Sequence, residues 1–290
     1  MKGKLLAALS ISSAIILAGC GAPTAAGQPG AVAQAATSAH AAPHRAVAPT
    51  LKLQHISLTV LPGSRLGPDK IMHDAFSLTD FKVVQGVPTQ VTVYNYDGGT
   101  HSITSAPLGL NVTLKGSPKE GVPGVTTFTF TPKKTGAFTW ECVLKCDGQA
   151  KGWAMSHDGY MKGVIHVVPN KHQQFIDLTI KDGLQYAAAD KKIHDSYSPA
   201  NFTVTAGIPV HVTVVNFDTG SHSLTSPTLG LNQIFKGAAK TGIPSVSTFT
   251  FTPKKTGNFH WQCVIPCDGG PTGWAMSHNG YMNGTITVVK

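Results

Sequence analysis

The sequence predicts an all-β fold, two tandem Greek-key β-sandwiches that follow an export signal and a flexible tether. Three observations carry that expectation. Short segments such as VTVYN (91–95), TTFTFTP (126–132) and GVIHVV (163–168) alternate apolar and polar side chains and favour Thr, Val and Phe, which is the pattern of half-buried strands. Clusters of turn residues (PKKTG, YDGGT, PLGLN) punctuate them, and no helical period of useful length intervenes. The chain also repeats itself, dividing its 290 residues into two units of ordinary domain size.

The opening segment, MKGKLLAALSISSAIILAGC, sets Lys2 and Lys4 before an apolar run from Leu5 to Leu17. That is the layout of an export signal. It ends Leu17-Ala18-Gly19-Cys20, which resembles a bacterial lipobox. The resemblance implies that residues 1–20 are a lipoprotein signal, that Cys20 is lipidated, and that the mature chain is anchored outside the bacterial cell membrane by lipid rather than by a helix. Residues 21–50 are rich in Ala, Gly, Pro and Thr without periodicity and read as a tether that cannot bury a core. No later stretch has the ~18 consecutive apolar residues that a spanning helix requires.

Two units follow, residues 51–169 and 173–290. His73-Asp74 recurs as His194-Asp195, Asn95-Tyr96-Asp97 as Asn216-Phe217-Asp218, His101-Ser102 as His222-Ser223, and FTFTPKKTG (128–136) letter for letter at 249–257, all at an offset of 121 that the sequence suggests is ungapped. Charged residues make up 13% of the chain, about half the usual share. The 23 Lys and Arg against 14 Asp and Glu are scattered. No basic run supports nucleic-acid binding, whereas a basic surface suits anionic lipid or an acidic protein partner. There is no Ser/His/Asp motif, P-loop or dinucleotide fingerprint.

The chemistry-bearing residues gather near the end of each unit. WECVLKCDGQAKGWAMSHDGYMKG (140–163) recurs as WQCVIPCDGGPTGWAMSHNGYMNG (261–284). In a sandwich, a residue before one strand and a loop after another meet at one pole, so His101, Cys142, Cys146, His157 and Met161 can converge. The second unit offers His222, Cys263, Cys267, His278 and Met282 at the same spacing. Imidazole, thiolate and thioether form a soft donor set that suits copper better than calcium or magnesium. The competing reading is a disulfide between the cysteines of each pair, which an exported chain permits, with Met and aromatic packing around it. His73 and His194 are expected at the surface or in hydrogen bonds.

The motifs HSITSAPLGLN and HSLTSPTLGLN, CVLKC and CVIPC, and SHDGYM and SHNGYM resemble those of the cupredoxins. In particular they resemble the copper-A domain of cytochrome c oxidase subunit II, here in tandem duplication. The resemblance implies one or two copper ions per domain. It assigns His101, Cys142, Cys146, His157 and Met161 as ligands with the backbone carbonyl of Leu144. In the second domain the set is His222, Cys263, Cys267, His278 and Met282 with the carbonyl of Ile265. The sequence departs from copper-A in a longer gap between Cys146 and His157, in a longer spacing from His157 to Met161, and in lacking the transmembrane hairpin. The added loop brings Met155, and in the second domain Met276, as alternative thioether ligands.

The function expected is a membrane-tethered, extracytoplasmic copper protein that transfers electrons to or from a redox protein or terminal oxidase. A copper carrier or storage protein is one alternative, and a metal-free binding module with a disulfide per domain is another. The chain has no His-x-His pair and no Cys-His, so it is expected not to be an enzyme.

Overall fold

The computed structural model describes residues 49–148, 152–268 and 273–290. The expected signal peptide with Cys20, and the tether as far as residue 48, lie outside the described residues. The described residues all belong to one compact unit. Among the described residues no helix is long and apolar enough to cross a membrane.

The expected all-β architecture is present. The first repeat comprises β1 (Gln54–Leu66), β2 (Met72–Phe76), β3 (Phe81–Val84), β4 (Thr89–Asn95), β5 (His101–Ser105), β6 (Leu110–Leu114), β7 (Gly124–Phe130), β8 (Gly136–Glu141) and β9 (Lys162–Val168). A four-stranded sheet in the order β2-β1-β4-β7 packs with a five-stranded sheet in the order β3-β9-β8-β5-β6. The second repeat follows with β10 (Gln174–Ala187), β11 (Lys192–Ser198), β12 (Phe202–Thr205), β13 (Val210–Asn216), β14 (His222–Ser226), β15 (Leu231–Phe235), β16 (Ser245–Phe251), β17 (Gly257–Gln262) and β18 (Asn283–Val289). Its sheets run β11-β10-β13-β16 and β12-β18-β17-β14-β15. In each repeat the first strand pairs in parallel with the fourth, and the third with the last, while the other pairs are antiparallel. The chain therefore crosses between sheets and encloses one core per repeat.

Period-two patterning selects the inward faces. β4 buries Thr89, Val91, Val93 and Asn95 and leaves the residues between them half-exposed. Val91 and Val93 meet Ile103, Trp140, Ile165 and Phe76 in the first core. The Trp140 ring is fully buried, and its indole N–H, a donor that burial would otherwise orphan, reaches the Thr79 carbonyl at 2.8 Å. Trp261 repeats this with Ala200 at 2.8 Å.

The ungapped offset fails in the first strand. Gln54 and Gln174 make equivalent bonds to Val84 and Thr205, and Gly63 and Gly183 take equivalent left-handed conformations, φ 48° and 54°. Both pairs lie 120 apart, so one residue has been added between Tyr186 and Asp190, where β10 runs one residue longer than β1 and the chain turns into β11.

The two repeats pack directly on one another with approximate twofold reciprocity. Thr59 bonds Ser198 at 3.0 Å, and Thr179 bonds Ser77 at 2.7 Å. The Leu66 N–H donates to the Gly242 carbonyl, and the Tyr186 N–H to that of Gly121, both at 2.9 Å. A third apolar cluster, Leu61 and Tyr96 with Leu184, Val215 and Phe217, lies between the repeats.

Candidate metal centre

β5 and β8 are antiparallel neighbours, so the start of one lies beside the end of the other. His101 opens β5 and Cys142 follows β8. Two groups of His and Cys ligand atoms, each within 4.8 Å of one another, occur among the described residues: His101 with Cys142 and Cys146, and His222 with Cys263 and Cys267.

The turn before β5 aims the histidine. The Asn95 side chain donates to the carbonyls of Gly99 (2.9 Å) and Lys115 (3.0 Å) and accepts from the Asp97 N–H (2.9 Å). Asp97 accepts from the Gly99 N–H and places its other oxygen 2.7 Å from His101 Nε2. A carboxylate only accepts, so Nε2 carries a proton, and Nδ1 is the nitrogen turned towards Cys142 Sγ, 3.9 Å away. His222, Asp218 and Cys263 repeat this at 2.7 and 4.0 Å. Burial alone would lower the His101 pKa, but hydrogen bonds to Asp97 and Cys142 outweigh it and raise it to about 9.

Cys142 is buried, and its sulfur accepts the Ser102 N–H at 3.3 Å. Ser102 Oγ in turn accepts the Val143 N–H at 2.9 Å. The Leu144 carbonyl lies 3.5 Å from Cys142 Sγ, and the Ile265 carbonyl 3.4 Å from Cys263 Sγ. The sulfurs of Cys142 and Cys146 are 3.7 Å apart, and the four cysteines among the described residues form no disulfide. A disulfide needs about 2.05 Å. Two thiolates on one ion, with bonds of about 2.3 Å at a tetrahedral angle, stand roughly 3.7–3.8 Å apart. The hydrogen bond from Cys146 lowers the Cys142 pKa against the opposing effect of burial, while that same hydrogen bond and burial push the Cys146 pKa up. An imidazole nitrogen, two sulfurs and a carbonyl oxygen converge, and that donor set fits copper.

The other expected ligands lie on or at the end of the short helix that follows the cysteines and at the entry of the last strand. His157 is exposed and caps a short helix, α1 (Trp153–Ser156). Its Nδ1–H donates to the Trp153 carbonyl at 2.8 Å, and its ring stacks on Trp153 at 3.5 Å and 7°. His278 does the same with Trp274 on α2 (Trp274–Ser277), at 2.7 Å, 3.6 Å and 6°. Neither belongs to the His/Cys groups, because the long loop folds into a helical turn of its own that holds the ring. Met161 and Met282 are fully buried in the cores, with their backbone carbonyls accepting the Cys142 and Cys263 N–H groups at 2.8 Å. Met155 instead lines an open cleft of about 940 Å³ together with Asp97, His101 and Cys146. Met276 is partly buried against the second core.

Sequence reasoning missed Asp97 and Asp218 as partners of the histidines, although both recur. His73 and His194 were expected at the surface or in hydrogen bonds. They are buried, and both are hydrogen-bonded.

No family model and no curated protein matches the chain. Solved structures similar to it include a blue copper oxidase from Nitrosomonas europaea (12% identity, TM-score 0.30, covering 81% of this chain and 86% of that one). A copper nitrite reductase from the same organism is 13% identical (TM-score 0.30; 82% and 95% covered), and the multicopper oxidase mgLAC is 14% identical (TM-score 0.29; 81% and 86%). The expectation of a non-enzyme is withdrawn on this finding, since all three are oxidases or reductases. At these TM-scores the likeness assigns no activity or residue role to this chain. Each repeat here is a β-sandwich of one four-stranded and one five-stranded sheet, and the two His/Cys groups are placed so that they could hold a metal ion.

Proposed function

We propose that each repeat binds copper, through His101, Cys142 and Cys146 in the first and His222, Cys263 and Cys267 in the second, and that these centres exchange electrons with a redox protein or terminal oxidase. Met155, which lines the cleft beside His101 and Cys146, and Met161, which packs in the same buried cluster as Cys142, are the thioethers that could join the first site, and the Leu144 and Ile265 carbonyls lie against the Cys142 and Cys263 sulfurs. Bound copper would supply a one-electron couple with strong thiolate charge-transfer absorption. The protein's part is to hold the donors: Asp97 fixes the His101 tautomer, the Ser102 N–H steadies the Cys142 sulfur, and the packed core below excludes water. The observation that carries the reading is the 3.7 Å sulfur pair facing His101 Nδ1.

Electron transfer is the step shared by copper carriers of electrons and copper oxidoreductases. The lipobox-like Cys20 supports tethering at the outer face of the cell membrane, where such partners reside. A second reading, copper carriage or storage, is favoured by one feature: Met155 and Cys146 border an open cleft, where soft ligands are accessible to exchange. Copper transfer to a chelator separates the two. Release within seconds supports carriage, and retention through repeated reduction and reoxidation supports electron transfer.

A further inference from the structure

Each cysteine pair is followed by an aspartate seated in a buried cradle. In the first repeat Asp147 takes a left-handed backbone, φ 65°, which residues other than glycine seldom adopt unless held there. What holds it is on the page. Its N–H donates to Asp74 Oδ2 at 3.0 Å, and its own carboxylate accepts the N–H groups of Asp74 (3.1 Å) and Ala154 (2.8 Å). His73, fully buried, sets Nδ1 2.9 Å from Asp147 Oδ2 and Nε2 3.1 Å from Asp69. Carboxylates only accept, so both ring nitrogens donate. Trp153 from α1 stacks on the His73 ring at 4.2 Å.

The second repeat builds the same cradle. Asp268 has φ 54°, donates its N–H to the Asp195 carboxylate at 3.0 Å and accepts the Asp195 N–H on its own carboxylate at 3.4 Å, and accepts from the Ala275 N–H at 2.8 Å. His194 lies 2.8 Å from both Asp268 and Asp190. The cradle ties the loop after β8 to β2, and the loop after β17 to β11. It sits on the residue next to the second cysteine of each pair. The first cysteine needs no such help, since its backbone is bonded to the last strand's entry at Met161 or Met282.

We propose that His73 and His194 are positioning residues that hold Cys146 and Cys267 against the first thiol of each pair, acting through Asp147 and Asp268. The role rests on the copper reading of those cysteines, but the cradle itself is testable without copper. The full chain, reduced and metal-free, is labelled with iodoacetamide, and the rate at each cysteine is read by mass spectrometry. Two substitutions separate the two ring nitrogens. In His73→Asn the amide N–H takes the place of Nδ1 and keeps the bond to Asp147; in His73→Gln it takes the place of Nε2 and keeps only the bond to Asp69.

Labelling of Cys146 is expected to rise about tenfold or more in His73→Ala and His73→Gln, the consequence of losing one charge-assisted hydrogen bond. It should stay near the wild-type rate in His73→Asn, with Cys267 of the intact repeat unchanged throughout. In copper-loaded protein the first repeat's visible band should follow the same order, kept in Asn and lost or shifted in Gln and Ala. Unchanged Cys146 labelling in His73→Ala overturns the proposal. If that variant loosens the whole chain, seen as faster Cys267 labelling, the Asn and Gln variants decide, and equal rates in those two overturn it. The predicted ranking in a chain that takes up no copper refutes the copper reading and leaves the cradle standing; copper uptake without the ranking does the reverse.

Discussion

Asp97 bonds His101 Nε2 at 2.7 Å, and this one contact leaves Nδ1 as the ring nitrogen that faces Cys142. Without the carboxylate the imidazole is free to rotate and to change tautomer. Asp97→Ala is expected to lower copper affinity at the first site by about 10–100-fold, measured by competition with a chelator, while the second site, held by Asp218, keeps its affinity. Equal affinities at both sites would show that Asp97 does not orient the ligand.

The two methionines of the first loop should part company. Met161 is fully buried in the core, so Met161→Ala is expected to cost about 2–5 kcal/mol of stability and Met161→Leu less than about 1.5 kcal/mol, by denaturant unfolding. Met155 lines the cleft, so Met155→Leu should leave stability nearly unchanged and shift the redox potential or the visible band of the first site.

Contact between the repeats is close enough to forbid a methyl group. A Cβ on Gly121, at φ 72°, would stand 2.7 Å from the Tyr186 backbone nitrogen, and one on Gly242, at φ 81°, would stand 2.9 Å from that of Leu66. Gly121→Ala is expected to destabilise the chain by more than about 1 kcal/mol, read as a lowered unfolding midpoint. Residues 173–290 expressed alone uncover Leu184, Val215 and Phe217 and are expected to self-associate, as sedimentation would show.

Asp177 predicts a pH effect of definite sign. Its carboxylate is buried on β10 with Oδ2 unpartnered, and burial pushes its pKa up from 3.8 to about 7. The folded chain therefore holds a proton that the unfolded chain releases across this window. The penalty is absent below the lower value, grows through the window, and is complete above the upper one. Asp177→Asn should stabilise the protein by a few kcal/mol at pH 8 and scarcely at pH 4, measured by urea unfolding at each pH.

The strands were legible because period-two patterning and turn clusters are local signals, and VTVYN, GAFTWEC and GVIHVV fall within or against β4, β8 and β9. The meeting of His101 with the cysteines followed from antiparallel adjacency alone. The setting of His157 was not legible, because spacing does not reveal that Trp153 would stack on its ring and that the Trp153 carbonyl would accept a hydrogen bond from Nδ1. The cradle of His73 escaped because Asp69, Asp147 and Trp153 are drawn together only by the tertiary fold. Its sole trace in the sequence was the recurrence of His-Asp. The extra residue near Asp190 was hidden by the strict 121-residue spacing of every motif downstream of it.

The most direct test is a copper titration of the reduced full chain, followed by metal analysis and the visible spectrum, beside Cys142→Ser, Cys263→Ser and the double variant. Thiolate is the ligand that gives copper its colour. The wild type should bind copper at both repeats and absorb strongly in the visible; each single variant should lose one repeat's share, and the double variant all of it. A wild-type chain that stays colourless and metal-free, or a double variant that binds and absorbs like wild type, would contradict the copper centres.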